Sequence, residues 1–110
     1  MRTTAVVFLF LLSLGGCDDE AVCLPECIIE EIGNLGEHHC SDSANISQYI
    51  FQGSTVYLID PGNCGDDQSY DVVDSNCEVI GRLGGFVGNE NINGVAFYEN
   101  AKLIAIVWQK

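Results

Sequence analysis

The sequence predicts an α+β fold in which one N-terminal helix packs on a small antiparallel β-sheet of about six strands. Two patterns in the chain of 110 residues carry this prediction. Apolar and acidic residues alternate with a helical period between Leu24 and Leu35, and from Asn45 onward the period becomes that of strands separated by short turns. Laying such a helix on one face of an antiparallel sheet buries the apolar side of both layers.

Residues 1–16 are predicted to be a signal peptide that is removed from the mature protein. Met1 and Arg2 give a short positive start, residues 5–14 form an almost unbroken apolar run, and small residues follow. This is the layout of a secretory signal. A membrane-spanning helix needs about 20 apolar residues, and this run is shorter and ends at Gly15 and Gly16.

Leu14, Gly15, Gly16 and Cys17 resemble the bacterial lipobox, in which an apolar residue and two small ones precede a cysteine. The resemblance implies cleavage before Cys17, a diacylglyceryl thioether on its sulfur and usually an acylated amine. Several acyl chains matter because a single one binds membranes only marginally. The alternative is an ordinary secretory cut nearby that leaves Cys17 as a thiol. We therefore expect a bacterial cell-envelope protein anchored by lipid to a membrane, at the outer membrane or cell surface rather than the inner membrane.

Residues 17–23 are predicted to be an acidic tether, and residues 24–110 a single small domain. Asp18, Asp19 and Glu20 directly follow the lipidated cysteine, and such runs are usually disordered. Different bacteria interpret acidic residues at this place in opposite ways, so the tether does not decide the membrane leaflet. The remaining length supports only one modest core.

The helix is expected at residues 24–35. Pro25 suits its first turn, Glu26 lies beside the positive end of the helix dipole, and Gly33 with Asn34 supplies a stop. Three hairpins are expected after it, because β-branched and aromatic runs alternate with turn residues. They pair Ser47–Phe51 with Ser54–Asp60, Tyr70–Val73 with Cys77–Leu83, and Gly94–Tyr98 with Ala101–Trp108.

The last predicted strand is apolar on both of its faces. Leu103, Ala105 and Val107 alternate with Ile104, Ile106 and Trp108. A strand of this kind is normally central and covered on both sides, here by the helix and by the loop of residues 84–93. We expect that arrangement, with Trp108 buried and with Lys102 and Lys110 protecting against aggregation. The alternative is that one face binds a partner, since Trp is enriched at interface hot spots.

The six cysteines agree with export to a compartment that permits disulfides. With Cys17 lipidated, two disulfides and one spare cysteine allow several connectivities. We expect Cys64 to pair with Cys77 and Cys27 to pair with Cys40, because each pair closes a short loop, and Cys23 is then spare. A zinc site formed by Cys23, Cys27, His38, His39 and Cys40 is the competing hypothesis. Its spacing is poor, and structural zinc sites of this type belong mostly to reducing compartments, so no metal is predicted.

Side chains with hard oxygen ligands are concentrated between residues 60 and 74. Two explanations fit this composition: a calcium site, or Asp and Asn residues that form turns. With Asp60 as the first position of an EF-hand loop, the third and fifth positions are Gly62 and Cys64, which are not side-chain oxygen ligands. Turn chemistry explains the same composition without an ion. The residues concerned are Asp60, Asn63, Asp66, Asp67, Asp71 and Asp74.

No catalytic residue and no cofactor are predicted. His38, His39, Cys40, Ser41 and Asp42 contain the residue types of a nucleophilic site, but catalytic partners are seldom adjacent in one loop. The formal net charge of −12, with four Lys and Arg residues against 16 Asp and Glu, argues against nucleic-acid binding, which needs a basic patch. A basic protein partner attracted by electrostatic steering is compatible with it.

Cysteines, glycines and turn residues recur along the predicted domain with a specific spacing: Tyr49, Gly53, Val56, Tyr57, Asp60, Pro61, Gly62, Asn63, Cys64, Gly65, Asp74, Ser75, Asn76, Cys77, Leu83, Gly84, Gly85, Gly88, Asn89, Ile92, Asn93, Gly94 and Trp108. In these residues the chain resembles an uncharacterised family of small bacterial lipoproteins, from about Pro25 to the end. Cys23 is additional to the pattern. The family has no established activity, so the resemblance implies only the architecture and the anchor.

These observations lead to the expectation of a non-enzymatic, membrane-anchored envelope lipoprotein whose domain binds or shields. One alternative is an inhibitor of a basic hydrolase such as lysozyme, suggested by small size and acidity. The other is a calcium-dependent adhesion or assembly subunit, suggested by the acidic loop.

Overall fold

The computed structural model describes residues 24–37, 42–62 and 68–110. Helix α1 precedes the strands, and a short helix α2 precedes the last strand. The elements in chain order are α1 (Glu26–Glu37), β1 (Asn45–Phe51), β2 (Ser54–Asp60), β3 (Ser69–Asp74), β4 (Val79–Gly84), β5 (Asn91–Ile92), β6 (Val95–Ala96), α2 (Phe97–Asn100) and β7 (Ala101–Gln109).

Five strands form one antiparallel sheet in the order β4-β3-β2-β1-β7, and β5 pairs with β6 in a separate small sheet. The predicted α+β class is therefore confirmed, with one N-terminal helix and a mostly antiparallel sheet. The first two hairpins are also as expected, apart from strand ends that differ by one or two residues. Gln52 and Gly53 join β1 to β2 with φ values of 52° and 80°, the left-handed conformation that tight hairpin turns need.

The third predicted hairpin is wrong. Residues 94–98 do not pair with the last strand, because Val95–Ala96 pairs with Asn91–Ile92 and Phe97–Asn100 forms a helical turn. That turn carries the chain across the sheet, so that β7 pairs with β1. The predicted helix stop at Gly33 and Asn34 is also wrong, since α1 continues to Glu37. Glycine lowers helix stability by about 1 kcal/mol, and packing of Leu35 in the core outweighs this.

The sheet has a core on each of its faces. On one face α1 packs over β1, β2 and β3 through Ile28, Leu35, Ala44, Ile46, Tyr57 and Val73. On the other face the segment that contains β5, β6 and α2 covers Phe51, Val56, Leu58, Val72 and Leu83 with Ile92 and Phe97. The Phe97 ring has 0% exposure and lies 5.0 Å from the rings of both Tyr49 and Phe51.

A disulfide joins Cys27 in α1 to Cys77 in the turn between β3 and β4, with a Cα–Cα distance of 5.8 Å. Both expected pairings, Cys64 with Cys77 and Cys27 with Cys40, are therefore wrong, because Cys27 and Cys77 are bonded to each other. The physical reason is that α1 lies across the sheet and brings its first turn next to a distant hairpin. Short sequence separation was a poor guide to distance in space.

Cys77 holds a conformation that is unfavourable for its residue type. Its φ is +69°, and it ends a three-residue loop in which its N–H donates to the Asp74 carbonyl at 3.0 Å. The Asp74 carboxylate fixes the same loop by accepting from the N–H groups of Asn76 and Glu78, both at 2.9 Å. Hairpin loops of this kind normally place glycine at the left-handed position, so Cys77 is strained there.

Several sequence predictions concern residues outside the described ranges and stay predictions. They are the signal peptide, the tether, lipidation of Cys17, and the states of Cys23, Cys40 and Cys64. Among residues 24–37, 42–62 and 68–110, no helix is both long enough and apolar enough to cross a membrane.

Candidate interaction surface

The most unusual surface of the described domain is strand β7. It is an edge strand, paired with β1 on one side and with no strand on the other side within the described ranges. Leu103, Ile104 and Ile106 are 52%, 46% and 55% exposed. We call the exposed part of β7, from Lys102 to Ile106, the β7 surface.

The prediction that this strand is central is therefore wrong, and Trp108, which was expected to be buried, is only partly so. Trp108 and Val107 are half-buried at the margin of the core beneath α1. The physical reason is that the two covering layers reach only the ends of β7: the core beneath α1 extends to Val107 and Trp108, and the core beneath β5, β6 and α2 extends to Ala101. The alternative weighed from the sequence, a face available to a partner, fits this arrangement.

Two irregularities shape the outer edge of β7. The pairing with β1 changes register between Ile46 and Ser47 and again between Gln48 and Tyr49, which leaves Val107 and Ile104 without a direct partner residue in β1. Bulges of this kind twist an edge strand and reduce indiscriminate pairing with other chains. The outer edge of β7 is therefore irregular and not a flat row of backbone groups.

The β7 surface differs in charge from the rest of the chain. Residues 101–110 contain Lys102 and Lys110 and no acidic residue, although the whole chain carries 16 Asp and Glu. The other cation within the described ranges, Arg82, contacts Asp71 through its Nε atom at 2.7 Å. That hydrogen bond raises the pKa of Arg82. The last ten residues of the chain therefore carry positive charge only, at Lys102 and Lys110.

An open cleft of about 370 Å³ adjoins the end of β7. It separates the segment before β1 from the side chains of the last strand. The H-bond from the N–H of Lys110 to the carbonyl of Ala44, at 2.9 Å, holds the two sides together. The lining residues are Asp42, Ser43, Ala44, Asn45, Ile106, Gln109 and Lys110. This cleft extends the β7 surface with polar groups beyond Ile106.

The acidic residues considered for calcium serve other purposes where the structure describes them. Asp60 accepts hydrogen bonds from Gly62 N–H at 2.9 Å and from the Asn45 amide at 3.4 Å. Asp71 pairs with Arg82, and Asp74 organises the Cys77 loop. Asn63, Asp66 and Asp67 lie outside the described residues. No group of three or more His, Cys, Asp or Glu side chains arranged for a metal occurs in the described ranges.

The residues considered for zinc and for catalysis are not brought together in the described part of the chain. Cys27 is bound to Cys77 and is thus not a thiolate ligand. His38, His39, Cys40 and Ser41 lie outside the described residues, and Asp42 is exposed beside the cleft. The β7 surface was not predicted as a site from the sequence. The signal that could have indicated it is the pair Lys102 and Lys110, which was interpreted only as protection against aggregation.

The family model of a domain of unknown function (DUF6970) matches residues 33–110. The chain belongs to the DUF6970 family. The match begins inside α1 and includes the whole sheet, Cys77 and the β7 surface. Comparisons with curated proteins and with solved structures found no significant match. DUF6970 membership confirms that the family is an uncharacterised one and assigns no activity, while the bacterial lipoprotein character of the chain stays a prediction.

Proposed function

We propose that this DUF6970 protein is a non-enzymatic, lipid-anchored protein of the bacterial cell envelope that binds another protein through the β7 surface. The lipobox-like residues that end at Cys17 support the anchor. The observation that carries the binding role is the exposure of Leu103, Ile104 and Ile106 on an edge strand. Contiguous exposed apolar patches on small soluble domains commonly mark interaction sites.

The proposed occupant is an extended strand of a partner protein that adds to the sheet beside β7. An edge strand offers backbone N–H and C=O groups to such a segment, and side chains on alternate positions give specificity. Because Lys102 and Lys110 flank the apolar middle, the complementary strand is apolar in the middle and acidic at its ends. A basic hydrolase does not complement this particular surface, since the local charge has the same sign.

Fluorescence-labelled peptides test the proposal directly. A peptide of alternating Val and Thr with Glu at both ends is compared with the same peptide carrying Lys at both ends, using the lipidated protein in nanodiscs. The Glu-ended peptide should bind more tightly, and the difference should shrink as salt is raised because exposed charges are screened. Ile104→Lys should abolish binding of both peptides.

A matched control variant separates the β7 surface from nonspecific effects. Val79 is 54% exposed at the opposite edge strand, β4, so Val79→Lys should leave peptide binding unchanged. Equal binding to both variants, or equal affinity for the Glu-ended and Lys-ended peptides, contradicts the proposal. If the chain instead dimerises through β7, its mass in solution should be doubled, and Ile104→Lys should restore the monomer mass. That result also contradicts the proposal that another protein binds the β7 surface.

A further inference from the structure

The turn between β4 and β5 presents two large apolar side chains to solvent. Phe86 is 86% exposed and Val87 is 84% exposed, more than any other large apolar side chain in the described ranges. They occupy the centre of a turn closed by a hydrogen bond from Gly88 N–H to the Gly85 carbonyl at 3.1 Å. We call residues 85–88 the apolar tip. Its exposure is not explained by the β7 surface, which lies at the other edge of the sheet.

The base of the apolar tip is held by hydrogen bonds. Gly84 and Asn89 exchange a pair of backbone hydrogen bonds at 2.7 and 3.0 Å, and Gly85 N–H donates to the Gln68 carbonyl at 2.7 Å. The Asn89 side-chain amide also donates to the carbonyls of Arg82 and Asn91. These internal bonds fix the direction in which the tip points. They also lower the cost of moving its backbone out of water.

Glycines make this geometry possible. Gly84, Gly85 and Gly88 have φ values of +78°, +78° and +67°, a region in which side-chain-bearing residues are strained. At Gly84 an added Cβ would in addition lie 3.0 Å from the Gln68 carbonyl oxygen. The chain therefore uses its glycines here to project Phe86 and Val87 together.

The apolar tip carries no charge in a strongly acidic chain. Residues 83–89 include none of the 16 Asp and Glu or four Lys and Arg residues, and the nearest charged positions are Arg82 and Glu90. A membrane interior rejects charged groups and accepts apolar side chains. The tip has the composition that allows entry without burying a charge, whereas a surface for a basic protein would present carboxylates beside it.

We propose that the apolar tip inserts Phe86 and Val87 into the acyl boundary of a zwitterionic phospholipid membrane. The insertion is a second membrane contact, and it uses the lipid anchor of the proposed function only to bring the domain near the bilayer. Zwitterionic lipid is specified because an anionic surface repels a chain with net charge −12. The contact fixes how the domain, and with it the β7 surface, is oriented above the membrane.

The length of chain before the domain permits both contacts with one membrane. The tip lies at the end of the sheet that includes Ser69 and Gly84, whereas α1 starts near the opposite end, where Cys27 meets Cys77. The chain from Cys77 through β4 to Phe86 spans up to about 30 Å. Residues 17–23 reach at most about 24 Å when extended, so lipid on Cys17 and an inserted tip reach the same surface when the strands are tilted from the membrane normal.

Tryptophan fluorescence tests insertion, because the chain has a single Trp. Phe86→Trp is made in a Trp108→Phe background, and the lipidated protein is reconstituted in phosphatidylcholine vesicles with or without brominated acyl chains. We expect emission at shorter wavelength and quenching by the brominated lipid. If Trp108→Phe unfolds the domain, Phe86→Trp is made with Trp108 retained. The emission of position 86 is then obtained as the difference between the spectra of this variant and the natural chain.

Val79→Trp is the matched control, since Val79 lies at the other end of β4 and is 54% exposed. It should remain accessible to aqueous acrylamide and insensitive to brominated lipid. Flotation of the vesicles reports the anchor separately. If the protein floats with the vesicles but position 86 is not quenched, the anchor is supported and insertion is overturned. If the protein does not float and position 86 is not quenched, both the anchor and insertion are overturned. Stronger quenching at position 79 than at position 86 also overturns the proposal, because the tip then points away from the bilayer.

Discussion

Removing the Cys27–Cys77 disulfide tests the account of how α1 is fixed to the sheet. The two cysteines are 50 residues apart in sequence, and a loop of this length corresponds to about 4 kcal/mol in the chain-entropy model. A domain of this size has a total stability of about 5–15 kcal/mol, so the Cys27→Ala/Cys77→Ala variant should lose at least about a quarter of it. Its melting temperature should fall by roughly 20 °C, since 1 kcal/mol corresponds to about 4–8 °C.

A second variant isolates the strain at Cys77. With φ at +69°, a residue other than glycine is disfavoured by roughly 1–2 kcal/mol, partly offset by the greater unfolded-state entropy of glycine. Cys27→Ala/Cys77→Gly should therefore be more stable than Cys27→Ala/Cys77→Ala by about 1 kcal/mol. Both variants lack the disulfide and share the change at Cys27, so their difference reports position 77 alone.

Urea and thermal unfolding followed by circular dichroism measure these differences. Asn76→Gly in the Cys27→Ala/Cys77→Ala background is the matched control, because Asn76 lies in the same loop and does not have positive φ; it should not stabilise. Equal midpoints for the Ala and Gly variants at position 77 would refute the strain argument. A melting temperature unchanged by loss of both cysteines would refute the role of the disulfide in holding α1.

Three further predictions concern the anchor, the core and pH. Intact-mass analysis of protein extracted from membranes should show loss of residues 1–16 and acyl mass on Cys17, and Cys17→Ser should release or misprocess the protein; an N-terminus elsewhere without lipid contradicts this. Phe97→Ala should destabilise by about 3–5 kcal/mol, because it empties a fully buried aromatic site, whereas Ile104→Thr on the β7 surface should change unfolding by less than about 0.5 kcal/mol; comparable losses in urea unfolding would show that β7 belongs to the core. Burial raises the pKa of Tyr57 above 10.0, so the folded state keeps this proton longer than the unfolded state: the associated stability is present below pH 10 and is lost as pH rises through the folded pKa. Urea midpoints measured from about pH 8 to about pH 11 should fall, and fall less steeply for Tyr57→Phe.

Local signals were sufficient for much of the fold. The alternation in residues 45–60 and the turn at Gln52 and Gly53 determine β1 and β2 almost to the residue. The helix end was missed because Gly33 is a weak local signal and burial of Leu35 is a tertiary one. The pairing of β7 with β1 was also missed. It depends on α2, which directs the chain across the sheet, and no local sequence pattern predicts that path.

The cysteine pairing and the surface could not be obtained from the sequence for a related reason. Two cysteines 50 residues apart become neighbours only when α1 lies on the sheet, and sequence spacing contains no record of that packing. The apolar run in β7 indicated burial, because apolar residues are usually interior. Whether such a run is covered depends on where the other layers end, which is a property of the whole fold.

The exposed strand and the exposed turn lie at opposite edges of the same sheet. β7 is the edge next to β1, and the apolar tip extends from β4 at the other edge. A sheet of five antiparallel strands spaced about 4.8 Å apart separates the two edges by about 19 Å. If the tip enters a membrane, the Lys102 end of the β7 surface is held away from the lipid, because Lys102 and Leu103 pair with Ile50 and Tyr49 toward the opposite end of the sheet. The two apolar features are then compatible with one orientation of the domain, in which one contacts lipid and the other binds protein.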